Sequence, residues 1–316
     1  MAYELATSVH FKYDFSGKKP FLECIQPVID AGFKNLDFNY LDMIHGNTEF
    51  LSDGYVDWLY DCKAFAEKNS VRWVQAHATA AEVDTTGKKE DFDRNMNYMK
   101  RSLECCGILG IPWAVFHHID NPEVAGSDMS PRDFNLKIFD ELLETAQKYK
   151  VGIAIENTHY PFYTGNPVSE GMNDLIELVD TLGSEYAGIC FDVGHANLNM
   201  LYAGAEQLAN MSEQIKLIGD RLKATHIHDN NAGAFANVCK LTEPNAAFVA
   251  DEHIQPFMGT VDWDDVICGL DAINYSHYFT YETHRSVNFL PDEVVGSALV
   301  HLKRVGEALI AKSILR

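Results

Sequence analysis

The sequence predicts an α/β fold, a single (β/α)8 TIM barrel that spans residues 1–316. Short apolar runs alternate eight times with longer segments of helical period, which is the pattern of a parallel sheet covered by helices. Several of these runs end in polar side chains, and no glycine-rich phosphate loop follows an early strand. An open doubly wound sheet would instead gather its chemistry at one switch point, so both features favour a closed barrel.

Eight strands and eight helices are predicted. The strands are residues 4–11, 35–41, 71–77, 113–118, 152–157, 187–193, 224–228 and 278–283. The helices are residues 21–31, 55–68, 91–109, 131–149, 173–182, 205–222, 263–273 and 291–310. Ser130 followed by Pro131 predicts a helix start, and Gly32, Gly110 and Gly183 fall where helices should end.

Composition predicts a soluble, cytoplasmic protein with no nucleic-acid or membrane partner. The 46 acidic residues outnumber the 25 basic ones, and a formal charge of −21 repels polyanions. No run approaches the roughly 18 apolar residues of a membrane span, and the N-terminus lacks a basic segment followed by an apolar one. The seven cysteines show no C-x-x-C spacing, so we expect reduced thiols.

Four consecutive strands in the second half of the chain end in a carboxylate or an imidazole. They read GIAIENTH, GICFDVGH, ATHIHDN and YFTYETH, and the predicted metal-binding residues are Glu156, Asp192, His228 and Glu282. Charges that directly follow a buried strand are costly unless they are paired or bind a metal. Three oxygen donors and one imidazole suit Mn²⁺, Mg²⁺ or Co²⁺ better than a structural zinc ion. We expect Mn²⁺ as the cofactor, with Zn²⁺ left open.

These motifs resemble the xylose isomerase-like barrel superfamily of sugar isomerases and epimerases, which shares its fold with type IV AP endonucleases. The resemblance covers the whole chain and includes a D-x-x-H motif at Asp192 and His195. The segment DEHIQPFMGTVDW is similar to the family's D-x-H-x-x-P-x-x-G-x-[IV]-D-W element, and matches it at Asp251, His253, Pro256, Gly259 and Trp263.

The resemblance implies a metal-dependent sugar isomerase or epimerase that moves a proton on a ketose or related polyol through a metal-stabilised enediolate. Glu156 and Glu282 would be the catalytic carboxylates, and His195 would orient a substrate hydroxyl. The implied substrate-binding residues are His195, His117, His77, His253 and Asp251. The expected partner is a small sugar, and the sequence leaves open whether the protein forms a homo-oligomer.

Three other functions remain open at this stage. By resemblance, His77, His117 or His118, His253 and Asp251 match ligands of the trinuclear zinc site of type IV endonucleases, although the charge of −21 opposes binding to duplex DNA. The barrel subunit of a C-glycoside deglycosidase, with a small β-sandwich partner, would use a similar proton abstraction. A metal-stabilised carbohydrate-binding protein would need no base, yet both glutamates are present. Residues 230–261 are expected to form a lid, a partner surface or an extended loop.

Overall fold

The computed structural model describes residues 3–9, 11, 19–80, 88–119, 122–158, 172–202, 210–232 and 251–315. Eight parallel strands form one sheet in the order β7-β6-β5-β4-β3-β2-β1-β8. Their bounds are Glu4–Ser8 (β1), Asn35–Asn39 (β2), Arg72–His77 (β3), Trp113–His117 (β4), Gly152–Glu156 (β5), Ala187–Asp192 (β6), Leu222–His226 (β7) and Tyr278–Tyr281 (β8).

The sheet closes almost completely on itself. β1 pairs with β8 from Glu4 to Thr7, and an isolated parallel bridge between Ile227 and Tyr281 joins the two ends of the sheet. The bridge is made by the Ile227 amide on the Thr280 carbonyl at 2.8 Å and by the Glu282 amide on the Ile227 carbonyl at 3.1 Å. The prediction of a TIM barrel is therefore confirmed.

Helices lie between the strands and cover the barrel. Their bounds are Phe21–Asp30, Tyr55–Asn69, Lys89–Leu109, Pro131–Tyr149, Met172–Leu182, Val193–Tyr202, Met211–Ile218, Trp263–Ala272, Arg285–Asn288 and Asp292–Ile310, with short 3₁₀ turns at Leu41–Ile44, Glu49–Leu51, Pro122–Ala125 and Gly219–Arg221. Within the described residues, no helix combines the length and the apolar composition needed to cross a membrane.

Local capping explains where several helices begin. Ser130 Oγ accepts a hydrogen bond from the Asp133 amide at 3.1 Å, which satisfies an otherwise unpaired donor of the first turn. Asn210 caps the helix Met211–Ile218 in the same way, and Asp262 caps the helix Trp263–Ala272. The helix Pro131–Tyr149, which Ser130 caps, begins and ends where the sequence predicts.

The interior of the barrel has an apolar side and a polar side. Val115, Ala154, Cys190 and Ala224, from β4 to β7, form a small buried cluster of their own. On the other side, Gln75 accepts a hydrogen bond from Thr280 Oγ1 at 3.2 Å, and Asp37 of β2 stands beside Gln75 in the strand register. The large core lies outside the sheet, between the strands and the helices.

Three elements show the main differences from the prediction. The helix Val193–Tyr202 begins directly after β6 and was not predicted, because VGHANLNMLY carries few of the charged residues typical of a surface helix. The predicted helix 205–222 is represented by Met211–Ile218, and residues 205–209 lie outside the described part of the chain. β7 begins two residues before the predicted strand and ends at His226. A single domain over residues 1–316 stays a prediction.

Candidate metal centre

The carboxyl ends of six neighbouring strands bring imidazoles and carboxylates together inside the barrel mouth. His77, His117, Glu156, Asp192 and His226 are the last residues of β3 to β7, and Glu282 directly follows β8. All of these side chains except that of His117 are buried. Because parallel strands end at the same edge of a closed sheet, side chains distant in sequence meet here.

His226 lies at the centre of the three predicted carboxylate ligands. Its Nδ1 atom is 3.2 Å from Glu156 Oε1, 3.5 Å from Glu282 Oε2 and 3.9 Å from Asp192 Oδ2. One donor atom from each of these four residues lies within 4.8 Å of the others. The four are buried, and they form a compact set of three oxygen donors and one nitrogen donor.

His228, the predicted imidazole ligand, lies two residues further along and at the edge of this group. Its Nε2 atom is 3.1 Å from Asp192 Oδ1 and 3.9 Å from Asp251 Oδ1. His228 therefore shares Asp192 with the central group, but its nitrogen belongs to a second set of donors with His195, Asp251 and His253. Sequence reasoning missed His226, although the spacing H-x-H in a strand places both imidazoles on the same face.

A third set of donors lies on the other side of Glu156. The Nε2 atoms of His77 and His117 are 3.1 Å apart, and they are 3.6 Å and 3.4 Å from Glu156 Oε2. Glu156 thus borders both this pair and the central group, with its Oε1 atom turned toward His226 and His195. The structure brings every predicted site residue into one of three overlapping groups.

Backbone carbonyls fix the orientation of three of these imidazoles. The Nδ1 atoms of His77, His195 and His253 lie 2.9, 3.0 and 2.9 Å from the carbonyl oxygens of Ala78, Asn157 and Glu282. A carbonyl oxygen only accepts, so each Nδ1 must donate, and in the neutral ring the lone pair then lies on Nε2. Imidazoles that ligate metals are commonly held in this way.

The D-x-x-H motif has a local structural cause. Asp192 Oδ1 accepts a hydrogen bond from the His195 amide at 2.6 Å, so Asp192 caps the helix that begins at Val193. The same carboxylate therefore starts the helix and, through its other oxygen, borders the central group. Gly194 follows in the first turn, where a Cβ atom would overlap the ring of His228.

Glu156 and Glu282 are ionised in the metal-free protein, because nearby imidazoles lower the pKa of each carboxyl group. Burial raises the pKa of Glu156, but the nearby imidazoles of His226, His117 and His195 outweigh it and hold the pKa well below its usual range. Burial also raises the pKa of Glu282, and here His226 and His253 lower the pKa to about 2. Both carboxylates are therefore bases at neutral pH.

The pKa values of two imidazoles, those of His226 and His253, are shifted upward. Burial lowers the pKa of His226, but Cys190, Glu282 and Glu156 raise it well above the ordinary value. Burial likewise opposes protonation of His253, yet Asp251 raises its pKa to about 9. Without a metal, protonated imidazoles thus balance the buried carboxylates, and a cation would take over this role.

The described residues fit a divalent cation at the central group. Both oxygens of Glu156, Oδ2 of Asp192 and both ring nitrogens of His226 and His228 are buried without a hydrogen-bond partner among the described residues. Buried polar atoms without partners are rare in folded proteins. Here those of Glu156, Asp192 and His226 belong to the central group, and those of His228 border it through Asp192. A cation bound at the central group would give the oxygens of Glu156 and Asp192 and one ring nitrogen of His226 a partner.

Comparison with known proteins agrees with this architecture. The family model described as xylose isomerase-like TIM barrel matches residues 32–305. The fold is similar to that of a D-tagatose 3-epimerase-like protein, at 21% identity and a TM-score of 0.64 over 98% of this chain and 99% of the other. It is similar to D-allulose 3-epimerase from Methylomonas sp., at 14% identity and a TM-score of 0.65 over 98% and 100% of the chains. The zinc-bound IolI protein gives 18% identity and a TM-score of 0.68 over 98% and 99%.

Proposed function

The chain belongs to the xylose isomerase-like TIM barrel family, and we propose that it is a metal-dependent isomerase or epimerase acting on a ketose or a related polyol. The observation that carries the proposal is the convergence of Glu156, Asp192, His226 and Glu282 within 4.8 Å of one another. One of the structurally similar proteins is named D-allulose 3-epimerase, another is named D-tagatose 3-epimerase-like protein, and a third was solved with zinc. These names support a small sugar as the substrate class.

The three carboxylates and one imidazole would hold the cation. When bound, a divalent cation would supply positive charge beside substrate oxygens and favour removal of a neighbouring proton. The geometry favours His226 as the imidazole donor, because its Nδ1 atom faces all three carboxylates. His228 stays a prediction for this position, and it approaches Asp192 alone among the three.

Glu156 and Glu282 are proposed to move the proton between carbons. Glu156 ends β5 and Glu282 directly follows β8, with β6 and β7 between these strands, so the two side chains reach the barrel mouth from different parts of the wall. Both are buried, and their low pKa values keep them ionised and able to accept a proton from carbon at neutral pH. His195, with Nε2 toward Asp251, is proposed to bind a substrate hydroxyl, as are His77, His117, His253 and Asp251.

Deuterium exchange tests the proposal directly. Metal-loaded protein is incubated with a panel of ketoses in D2O, and incorporation at carbon is followed by NMR. Glu282→Gln removes the base and is expected to slow exchange by about 10²- to 10⁴-fold. Glu293→Gln, at an exposed position of the last helix, is the matched control and should exchange as wild type does. Absence of exchange on every ketose by the metal-loaded wild type would contradict the proposal.

A second candidate is favoured by one specific observation. The His77–His117–Glu156 and His195–His228–Asp251–His253 groups flank the central group, and all three sets could hold metal ions. A trinuclear centre of this kind would suit phosphodiester hydrolysis. The charge of −21 argues against duplex DNA as its substrate.

Metal content separates the two candidates. About one metal per chain together with ketose exchange supports the first, and about three zinc ions with hydrolysis of a phosphodiester and no exchange supports the second. Several expectations from the sequence stay predictions. They are the preference for Mn²⁺, the cytoplasmic location, a homo-oligomer, the deglycosidase with its β-sandwich partner, and a binding protein without turnover. Residues 233–250, within the predicted lid, lie outside the described part of the chain.

A further inference from the structure

Asp229 is a fully buried carboxylate that follows β7 and His228 but does not belong to any of the three donor groups. Its Oδ1 atom accepts hydrogen bonds from the amides of Asn230 at 2.9 Å and Val261 at 3.2 Å. Its Oδ2 atom accepts from the Phe257 amide and from Trp263 Nε1, both at 3.0 Å. We propose that Asp229 is a positioning residue that holds Asp251 and His253 at the metal centre.

Three of the four donors belong to residues 251–263, which we name the clasp segment. The clasp segment also pairs with Asp229 through its backbone: the Asp229 amide donates to the Ile254 carbonyl at 2.7 Å, and the Ile254 amide donates back at 3.1 Å. Ile254 is the neighbour of His253 in sequence. One residue therefore ties down both ends of the clasp segment, including the end that carries Asp251 and His253.

The conformation of the clasp segment needs such an anchor. His253 and Phe257 adopt left-handed backbone angles, with φ values of 42° and 73°. Side chains with a Cβ atom rarely adopt this region, and surrounding contacts must maintain it. The Phe257 amide is one of the groups that Asp229 binds. Gly259 crosses so close to Asp229 and Asn230 that a Cβ atom would overlap both of them.

The clasp segment positions His253 beside the metal-binding residues. Its Nδ1 atom donates to the Glu282 carbonyl at 2.9 Å, and its Nε2 atom is 2.8 Å from Asp251 Oδ2. Its ring stacks on that of His228, with centroids 3.9 Å apart. A shift of the clasp segment would therefore move Asp251 and His253, and also the backbone of the proposed base Glu282.

Only a carboxylate meets the demand made on Asp229. Four N–H groups converge on its two oxygens, two on each, and both oxygens must accept. An asparagine presents an NH2 group in place of one oxygen, so two donors would face another donor. The buried carboxylate of Asp229 thereby explains Gly259 and Trp263 in the clasp segment: Trp263 donates a hydrogen bond to it, and only a glycine fits where the chain passes close to it.

The test compares Asp229→Asn and Trp263→Phe with the control Asp262→Asn in the full-length chain. The control changes a carboxylate in the same segment, but Asp262 is exposed and its side chain accepts hydrogen bonds from the Asp264 and Asp265 amides at the start of a helix. The first measurement is the ¹H–¹⁵N signal of the His253 Nδ1–H group, assigned with His253→Asn. The second is kcat and KM for deuterium exchange into a ketose.

Asp229→Asn is expected to lose or shift the His253 signal and to lower kcat by about 10²-fold, because misplacement of about 1 Å costs this much. KM should rise as well, since Asp251 and His253 are proposed to bind the substrate. Trp263→Phe removes one donor and should lower kcat by about tenfold. Asp262→Asn should match wild type in both measurements.

An unchanged His253 signal together with a kcat within twofold of the control, in either test variant, overturns the proposal. If Asp229→Asn does not fold, Trp263→Phe decides by the same criteria. The turnover measurement rests on the proposed function, whereas the His253 signal does not. Absence of exchange by wild type would therefore count against the proposed function and leave the signal to decide the role of Asp229.

Discussion

Asp37 offers the most direct test of how the barrel interior is organised. This carboxylate of β2 is fully buried, and neither oxygen has a hydrogen-bond partner among the described residues. Burial raises its pKa to about 6 from 3.8, even though His226 and His77 lower it, and Glu282 and Glu156 raise it further. The folded protein therefore holds a proton on Asp37 that the unfolded chain has already lost between about pH 4 and 6.

The sign follows from this difference in proton binding. A group whose pKa is higher in the folded state makes folding progressively less favourable as pH rises, until both states are ionised. A difference of about 2 units corresponds to about 3 kcal/mol. In metal-free protein, Asp37→Asn should therefore raise the free energy of unfolding by about 3 kcal/mol above pH 7. The gain should shrink below pH 6 and vanish near pH 4, where wild type carries a neutral acid.

Urea unfolding of chelator-treated protein at pH 8 and pH 5 measures the effect. Asp229→Asn is the contrasting variant, since that buried carboxylate accepts four hydrogen bonds and its replacement should destabilise the fold. Added divalent metal should reduce the advantage of Asp37→Asn, because a nearby cation favours the ionised carboxylate. The reasoning is refuted if Asp37→Asn is less stable than wild type at pH 8, or if its advantage does not depend on pH.

Three further predictions concern the metal centre. His226→Asn should weaken binding of Mn²⁺ by more than about 10²-fold in calorimetric titration, a larger loss than is caused by mutating residues that only hydrogen-bond to metal ligands. If His228→Asn weakens binding more than His226→Asn does, His228 is the ligand instead. The imidazole of His226 is protonated in the metal-free protein, so metal binding should release protons and the metal affinity should rise with pH. Calorimetry in buffers of different ionisation enthalpy measures this proton release. A measurement that finds no proton release would contradict the assignment of His226 as a ligand. Gly194→Ala should destabilise the fold by about 1–3 kcal/mol in urea unfolding, since its Cβ would overlap the ring of His228. Gly296→Ala is the control, because no described residue outside its own helix turn lies within 4 Å of its Cβ position, and it should be neutral or slightly stabilising.

Much of the fold follows from local sequence. The helix Pro131–Tyr149 is predicted to the residue because Ser130 and Pro131 define its start through a cap that needs only neighbouring residues. The eight strands are predicted in order, because their apolar runs are short and well separated. The family indicated by the strand-end motifs is confirmed by the match over residues 32–305.

Boundaries within β7 could not be predicted in this way. The run ATHIHDN is compatible with a strand that ends at either histidine, since local propensity does not distinguish positions two residues apart on the same face. The register with β6 places His226 opposite Asp192 and ends the strand there. That single pairing decides which imidazole faces the three carboxylates.

By itself, the sequence determined the alternation of strands and helices, the strand-end chemistry and the acidic charge, because each depends on residue type and local spacing. Tertiary structure alone decided that Glu156 borders two donor groups, that Asp37 is buried without a hydrogen-bond partner in the described part of the chain, and that Asp229 anchors residues 251–263. These depend on distances between segments far apart in the chain. Such distances are set only when the barrel closes and brings the strand ends to one rim.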